Sequence, residues 1–364
     1  MIMKKNYLWI AALATTMLTS CIYDNENDPI AQQGQYSSDE IQITAIMSGS
    51  SEARTRAAYN LQGTTLSAWT NAGIYAYKTG TTALTDNYAF VNQQVTGSNT
   101  SYNDATNSIT GTKLTIGSSL FFPYDNSDVD VYVYAPHTAV ATNVTATSVS
   151  NMAITVQADQ TDDADYIKSD FIYGMATADY ATTKTAAVTM YHALTKLTFI
   201  VKDGTNTTPS LGTDASGITE IKLTNVYKKA TIDMTAAPTS TTTAPYLTAG
   251  TQVTTDNTTQ GDVVVAVKDA THTASFYSDA KTNGVSAIIP PLTTTQLTAS
   301  DPDISVTIDG GTKTVKLKSS DVTELKPGYE YVFNLNIKGS ELIIVAVAIK
   351  PWETQTAVDR DLDF

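Results

Sequence analysis

Val129-Asp130-Val131-Tyr132-Val133-Tyr134-Ala135-Pro136 places a valine at every second position for five residues and ends on a turn-forming proline. Side chains of an extended strand point to opposite faces with a period of two, so this run reads as a strand and not a helix. The same period recurs outward in both directions. Ile41, Ile43 and Ala45 alternate with Gln42 and Thr44. Leu197, Phe199 and Val201 alternate with Lys196, Thr198 and Ile200, and Ile304, Val306 and Ile308 with Ser305 and Thr307. Tyr331, Phe333, Leu335 and Ile337 alternate with Val332, Asn334 and Asn336. Ile343 to Ile349 is apolar on both faces, which predicts a central strand covered on each side.

Turn chemistry separates these runs. Asp309-Gly310-Gly311 predicts a hairpin, and Lys326-Pro327-Gly328 a turn before a strand. No stretch of helical spacing exceeds about two turns. The pattern predicts an all-β chain of β-sandwiches. The length suggests two domains, placed at residues 40–183 and 184–364, with the boundary in the Thr/Ala/Lys-rich patch Ala181 to Ala187. Thr235 to Thr259 is Thr-rich and predicts a long exposed loop or a weak edge hairpin.

The N-terminal end has a different character. Lys4-Lys5 precede an apolar run from Tyr7 to Leu18 and then Leu18-Thr19-Ser20-Cys21. A cationic head, an apolar middle and small residues before a break are the parts of an export signal, here residues 1–20. The run is shorter than the roughly 20 apolar residues that span a bilayer. Leu-Thr-Ser-Cys resembles the lipobox of bacterial lipoproteins, which implies a lipid on Cys21; a plain secretory peptide is the alternative. Residues 21–39 are polar and aperiodic, and predict a flexible tether. Its acidic residues, Asp24, Glu26 and Asp28, resemble a surface-export signal of Bacteroidetes lipoproteins. Cys21 is the single cysteine, so the exported protein folds without disulfides and has no Cys-based metal site.

A formal charge of -14 argues against nucleic acid or an anionic lipid surface as partner, since both call for basic patches. His137, His192 and His272 are far apart and read as isolated strand or loop histidines. No His-x-x-x-His, Cys-x-x-Cys, Gly-x-Ser-x-Gly or phosphate-binding glycine loop occurs. Asp159, Asp162, Asp163, Asp165 and Asp170 cluster, but Ala164 stands where a calcium loop of the EF-hand type has glycine. A solvated acidic loop and a weak Ca²⁺ site both remain open there. No enzyme, cofactor or metal is expected.

Arg54-Thr55-Arg56-Ala57-Ala58 sets two scarce arginines among small polar residues, a stretch open to proteolysis. It comes after the strand around Ile41, Ile43 and Ala45. A cut there would remove tether, lipid and strand together and expose unpaired backbone beside an apolar groove. A plain basic loop is the alternative.

These features together resemble the fimbrillin family of Bacteroidales fimbriae. The likeness rests on the Cys21 lipobox with the first strand and Arg54-Thr55-Arg56-Ala57, and on Val129 to Pro136. It rests also on Asp165-Tyr166-Ile167-Lys168-Ser169-Asp170-Phe171-Ile172-Tyr173-Gly174 followed by His192-Ala193-Leu194-Thr195-Lys196-Leu197. The last piece is Lys326-Pro327-Gly328-Tyr329-Glu330-Tyr331-Val332-Phe333-Asn334-Leu335, with a final apolar strand ending at Pro351-Trp352. Gly174 stands where the family often has alanine, a difference expected to matter little.

The resemblance implies two Greek-key, transthyretin-like β-sandwich domains in tandem and a structural or adhesive fimbrial subunit. It implies a lipoprotein precursor at the outer membrane, cleavage after Arg54 or Arg56 by an arginine-specific protease, and a groove vacated by Ile41, Ile43 and Ala45. Other fimbrial subunits would then be partners by strand donation, with host proteins or glycans as further candidates. In residues 353–364, Val358, Leu362 and Phe364 fall on even positions with Arg360 between them, a short candidate donor; a frayed end is the alternative. The rival reading is a monomeric outer-membrane surface lipoprotein that binds glycans on aromatic platforms. The surplus of Tyr over Trp allows it, although Trp69 and Trp352 are few and Trp352 reads as core.

Overall fold

The computed structural model describes residues 36–47, 72–81, 89–96, 101–104, 109–138, 143–203, 217–235, 239–241, 244–246, 253–268, 284–308 and 311–352. In chain order the first strands are β1 (Tyr36–Glu40), β2 (Gln42–Met47), β3 (Gly73–Lys78), β4 (Ala89–Gln94), β5 (Ser101–Asp104), β6 (Ile109–Leu114), β7 (Phe121–Pro123) and β8 (Val129–Ala135). Then come β9 (Val144–Ser148), β10 (Asn151–Thr155), β11 (Ile172–Ala178), β12 (Thr185–His192), β13 (Thr195–Asp203), β14 (Ile218–Ile232), β15 (Thr239–Thr241) and β16 (Ala244–Tyr246). The last are β17 (Val253–Val267), β18 (Val285–Ile289), β19 (Asp303–Ile308), β20 (Gly311–Lys316), β21 (Tyr329–Lys338) and β22 (Glu341–Pro351). Among the described residues two short helices interrupt them, α1 (Asp163–Ser169) and α2 (Thr294–Ser300). The chain is all-β, as the alternation predicts.

β8, the valine-alternating strand, is buried at all seven positions. Val129, Val131 and Val133 face a core shared with Ile41, Ile43, Ala45, Leu114 and Val188. Tyr132 and Tyr134, with Tyr75, Tyr77 and Tyr173, enter a second core shared with the strands of the C-terminal half. Period two therefore separates two cores here, not a core from water. Tyr suits the second core because its ring is apolar while its hydroxyl tolerates a polar seam. Burial pushes the Tyr132 and Tyr134 hydroxyls up to about 12, so both stay uncharged at neutral pH. Asp130, on the Tyr side of the alternation, is satisfied by the Thr79 and Thr177 hydroxyls at 3.1 and 2.6 Å.

One connected sheet runs β4-β3-β8-β11-β12-β2-β6-β5. It turns a corner at β12. The first part of β12, Thr185 to Met190, pairs in parallel with Gln42 to Met47 of β2. Its last two residues pair instead with β11, His192 with Ile172 and Tyr191 with Tyr173. A strand that changes partners in this way joins the two leaves of a sandwich. Thr185–His192, placed by composition at the start of the second half, thus belongs to the sheets of the first. Conversely, β9 and β10 leave the first half and complete the sheet β20-β19-β14-β10-β9, where Met152 pairs with Ile232. That sheet shares its core with β18-β13-β21-β22.

The corner explains Gly174. A Cβ on Gly174 would lie 2.1 Å from the Thr189 carbonyl oxygen and 2.8 Å from Val188 Cγ1. The Thr189 backbone lies against Gly174 there, and a methyl group has no room against backbone. The expectation that alanine at this site matters little is therefore corrected. Gly174→Ala should lower unfolding free energy by about 1–3 kcal/mol, the usual range for overpacking; a thermal midpoint equal to wild type would show that β12 can shift aside freely.

Three other expectations change. The tether ends early, because Tyr36–Glu40 already pair with β7. In the Thr-rich stretch 235–259 the hairpin alternative holds for β15 and β16, which pair with each other, and the loop reading changes at Val253, where β17 begins and pairs along β14. The apolar run Ile343 to Ile349 is an edge strand, not a central one: among the described residues β22 pairs with β21 alone. Ile343, Val345 and Ile349 are 37%, 55% and 54% exposed. The registers Asn334↔Ala346 and Leu335↔Ile344 leave Val345 as a bulged residue, a device that disrupts edge pairing.

Candidate functional site

β2 does not lie at a sheet edge. β2 is held between β12 and β6 in the sheet order, parallel to the first and antiparallel to the second, with Ile43↔Leu114 and Ala45↔Thr112. Backbone ties extend the slot: Ile41 N–H donates to the Leu120 carbonyl at 2.7 Å, and Gln42 N–H to Lys184 at 3.1 Å. Ile41, Ile43 and Ala45 are buried among Leu114, Leu120, Ala186, Val188 and Met190. The structure thus brings together the three residues singled out for the first strand. Cys21, Arg54, Arg56, Val358, Leu362 and Phe364 lie outside the described residues, as do Trp69 and His272.

At the end of β12 stands a cluster that local sequence reading missed. His192 Nδ1 lies 2.8 Å from Asp170 Oδ1, with both side chains almost wholly buried. The Trp352 indole stacks on the imidazole, centroids 3.8 Å apart and planes at 9°. His192 Nε2 and Asp170 Oδ2 have no hydrogen-bond partner. Backbone ties surround the cluster: Ala193 N–H donates to Phe171 at 2.8 Å, Trp352 N–H to Gly328 at 2.7 Å, and Gly328 N–H to Leu194 at 2.8 Å. Gly328 turns the chain with φ 72, which suits a residue without Cβ. His192 is therefore not an isolated histidine. Trp352 is core, as its sequence setting suggests.

Asp170 also leaves the acidic loop. Of its companions, Asp165 pairs with Lys168 at 2.7 Å inside α1, and Asp159 accepts from Thr161 N–H and hydroxyl at 3.0 and 2.7 Å. Asp159, Asp165 and Asp170 thus have separate partners. Among the described residues, no group of three or more His, Cys, Asp and Glu side chains could hold a metal ion.

A second buried charge cluster ties β13, β18, β21 and β22. Glu330 Oε1 accepts from the Thr198 hydroxyl at 2.7 Å, and Thr198 meets Ser286 at 2.8 Å. Lys196 and Lys350 lie 3.4 and 3.3 Å from the same carboxylate. Burial alone would push the Glu330 carboxyl up; the two ammonium groups and the Thr198 hydrogen bond outweigh it and hold it below the usual range.

The sheets and the slot define a β-sandwich protein that has built a segment from before its main body into the interior of a sheet. The chain belongs to the fimbrillin-like family, whose model matches residues 55–352. No curated protein matches. A crystal structure of a Bacteroides uniformis protein, assigned provisionally to cell adhesion, is similar with a TM-score of 0.55 at 18% identity, over 88% of this chain and 99% of that one. A Bacteroides ovatus protein with the same provisional assignment gives 0.52 at 15% identity, over 88% and 99%. At such identities the likeness speaks for the fold. Among the described residues, no helix is long and apolar enough to cross a membrane.

Proposed function

We propose that this chain is a structural or adhesive subunit of a cell-surface fimbria, delivered as a lipoprotein precursor on Cys21. A cut after Arg54 or Arg56 releases β2, and a strand from another subunit takes its place between β12 and β6. The observation that carries this reading is the interior position of β2, with Ile41, Ile43 and Ala45 buried on one face. Removing an interior strand leaves two facing rows of backbone donors and acceptors plus apolar pockets at alternate positions, which is what an added strand recognises. The family match begins at residue 55, after β2, and ends at Trp352, before the candidate donor Val358, Leu362 and Phe364.

The surplus of Tyr lends little to a glycan platform. Tyr75, Tyr77, Tyr134, Tyr166, Tyr173 and Tyr331 are wholly buried, whereas Tyr124 is 71% exposed.

The test is direct. Protein lacking residues 1–21 is treated with an arginine-specific protease and resolved by size. Loss of the segment up to Arg54 or Arg56, followed by a ladder of multimers, is expected for a stalk subunit. A cut chain that stays monomeric overturns strand exchange as its mode of assembly.

A further inference from the structure

We propose that His192 is the positioning residue of the strand slot: its contacts with Asp170 and Trp352 hold β12 in place while β2 is absent. This rests on the strand-exchange reading and goes beyond it. The wall of the slot is the segment Thr185 to Met190, and its ladder partner is β2 itself. The pairs with β11 are confined to Tyr191 and His192. Once β2 leaves, the wall strand keeps ladder pairs at its C-terminal end alone; the Lys184 N–H bond to the Asp179 carbonyl at 2.9 Å and core packing of Ala186, Val188 and Met190 are its other holds. A strand without its ladder partner loses register more readily, because its freed residues regain backbone entropy.

What fixes that end is the buried cluster. Asp170 anchors the imidazole from the chain between α1 and β11, at 2.8 Å. Trp352 clamps it from the end of β22, at 3.8 Å between ring centroids. Asp170 Oδ1 and the indole face leave the ring one orientation, with Nδ1 toward the carboxylate. The Ala193 tie to Phe171 continues the hold one residue further. The cluster thus joins the slot wall to the C-terminal strand, from whose end residues 353–364 continue.

The slot accepts a strand only while its wall is in register. Apparent affinity falls by the fraction of molecules in the competent state, so a wall in register a tenth of the time binds about tenfold more weakly. The experiment uses the protein lacking residues 1–21, cut with an arginine-specific protease or, where that resists, at a recognition sequence inserted after Arg56. A labelled peptide of residues 40–47 is titrated into wild type, His192→Ala, Asp170→Asn and Ile304→Ala. Asp170→Asn keeps an acceptor for the imidazole, and Ile304→Ala loosens the remote strand β19. Amide hydrogen exchange is followed at Ala186 to Met190 in the cut and uncut forms of each.

The expected result is peptide uptake by wild type and Asp170→Asn, affinity at least about tenfold lower in His192→Ala, and near-wild-type affinity in Ile304→Ala. Exchange at Ala186 to Met190 should rise in cut His192→Ala and little in the uncut chain. Equal uptake by wild type and His192→Ala overturns the inference. If cut wild type takes up no peptide, the strand-exchange reading fails on its own; exchange then decides for His192, and equal protection of Ala186 to Met190 in cut wild type and His192→Ala overturns it.

Discussion

Glu330→Ala is expected to lower the unfolding free energy by about 3–5 kcal/mol, the range for deleting one partner of a buried ion pair. The side chain is 5% exposed, and Lys196, at 12%, would lose this carboxylate from a largely dry setting. Lys350, at 37% exposed, can turn to water and contributes less. Glu330→Gln keeps the shape and an acceptor for Thr198 but not the charge, so its deficit isolates the electrostatic part. The sign of its pH dependence follows from the depressed carboxyl. A group with a folded value below its unfolded one contributes stability that is present above the unfolded value, about 4.3 for Glu, and lost as pH falls through the folded value. Urea denaturation of wild type and Glu330→Gln should therefore show a wide gap at neutral pH that closes on acidification below about pH 4. A gap that stays constant over that range would mean the carboxyl is not ionised in the folded protein.

The strands were legible because period two is a local property, and Val129 to Ala135 or Tyr331 to Ile337 carry it within a few residues. Sheet membership was not, because it depends on partners far along the chain. Nothing in Thr185 to Met190 announces a parallel pairing with Gln42 to Met47. Ile343 to Ile349 misled for a related reason. Apolar residues on both faces do not tell whether a strand has one neighbour or two, and a bulge at Val345 can protect an edge without a charge. The short helices were not singled out from the sequence, although one of them carries a local start signal. Thr293 and Gln296 form a capping box, with Gln296 N–H donating to Thr293 Oγ1 at 3.3 Å and Thr293 N–H to Gln296 Oε1 at 3.0 Å.

The candidate site divides in the same way. Ile41, Ile43 and Ala45 could be chosen from alternation beside Arg54 and Arg56. Asp170, His192 and Trp352 could not be joined, since no spacing rule links residues so distant. Asp170 sat in an acidic run and took the character of its neighbours. Its burial is set by the next three residues, Phe171-Ile172-Tyr173, which enter the core at once. The clash that Gly174 avoids was equally hidden, because it involves the backbone of a strand that is separated from β11 by a turn.

Ile43→Ala should give a result that depends on which form of the protein is measured. In the uncut chain Ile43 is 3% exposed and packs within the first core, so truncation should cost about 2–5 kcal/mol, the range for a large-to-small core change. After cleavage at Arg54 or Arg56 and loss of the N-terminal segment, residue 43 is no longer part of the molecule, and wild type and variant become the same chain. Their denaturation curves should then coincide. The rate at which the segment leaves should differ as well, because a weaker plug dissociates faster: the same 2–5 kcal/mol, if lost wholly from the bound state, speeds release by about 30-fold or more. Mass spectrometry of the cut protein over time reads this directly. Curves that still differ after the cut would show that β2 stays seated without its covalent link. The backbone ladder with β12 and β6 would then hold the strand as firmly as the peptide bond did, and release would need an incoming strand to displace it rather than proteolysis alone.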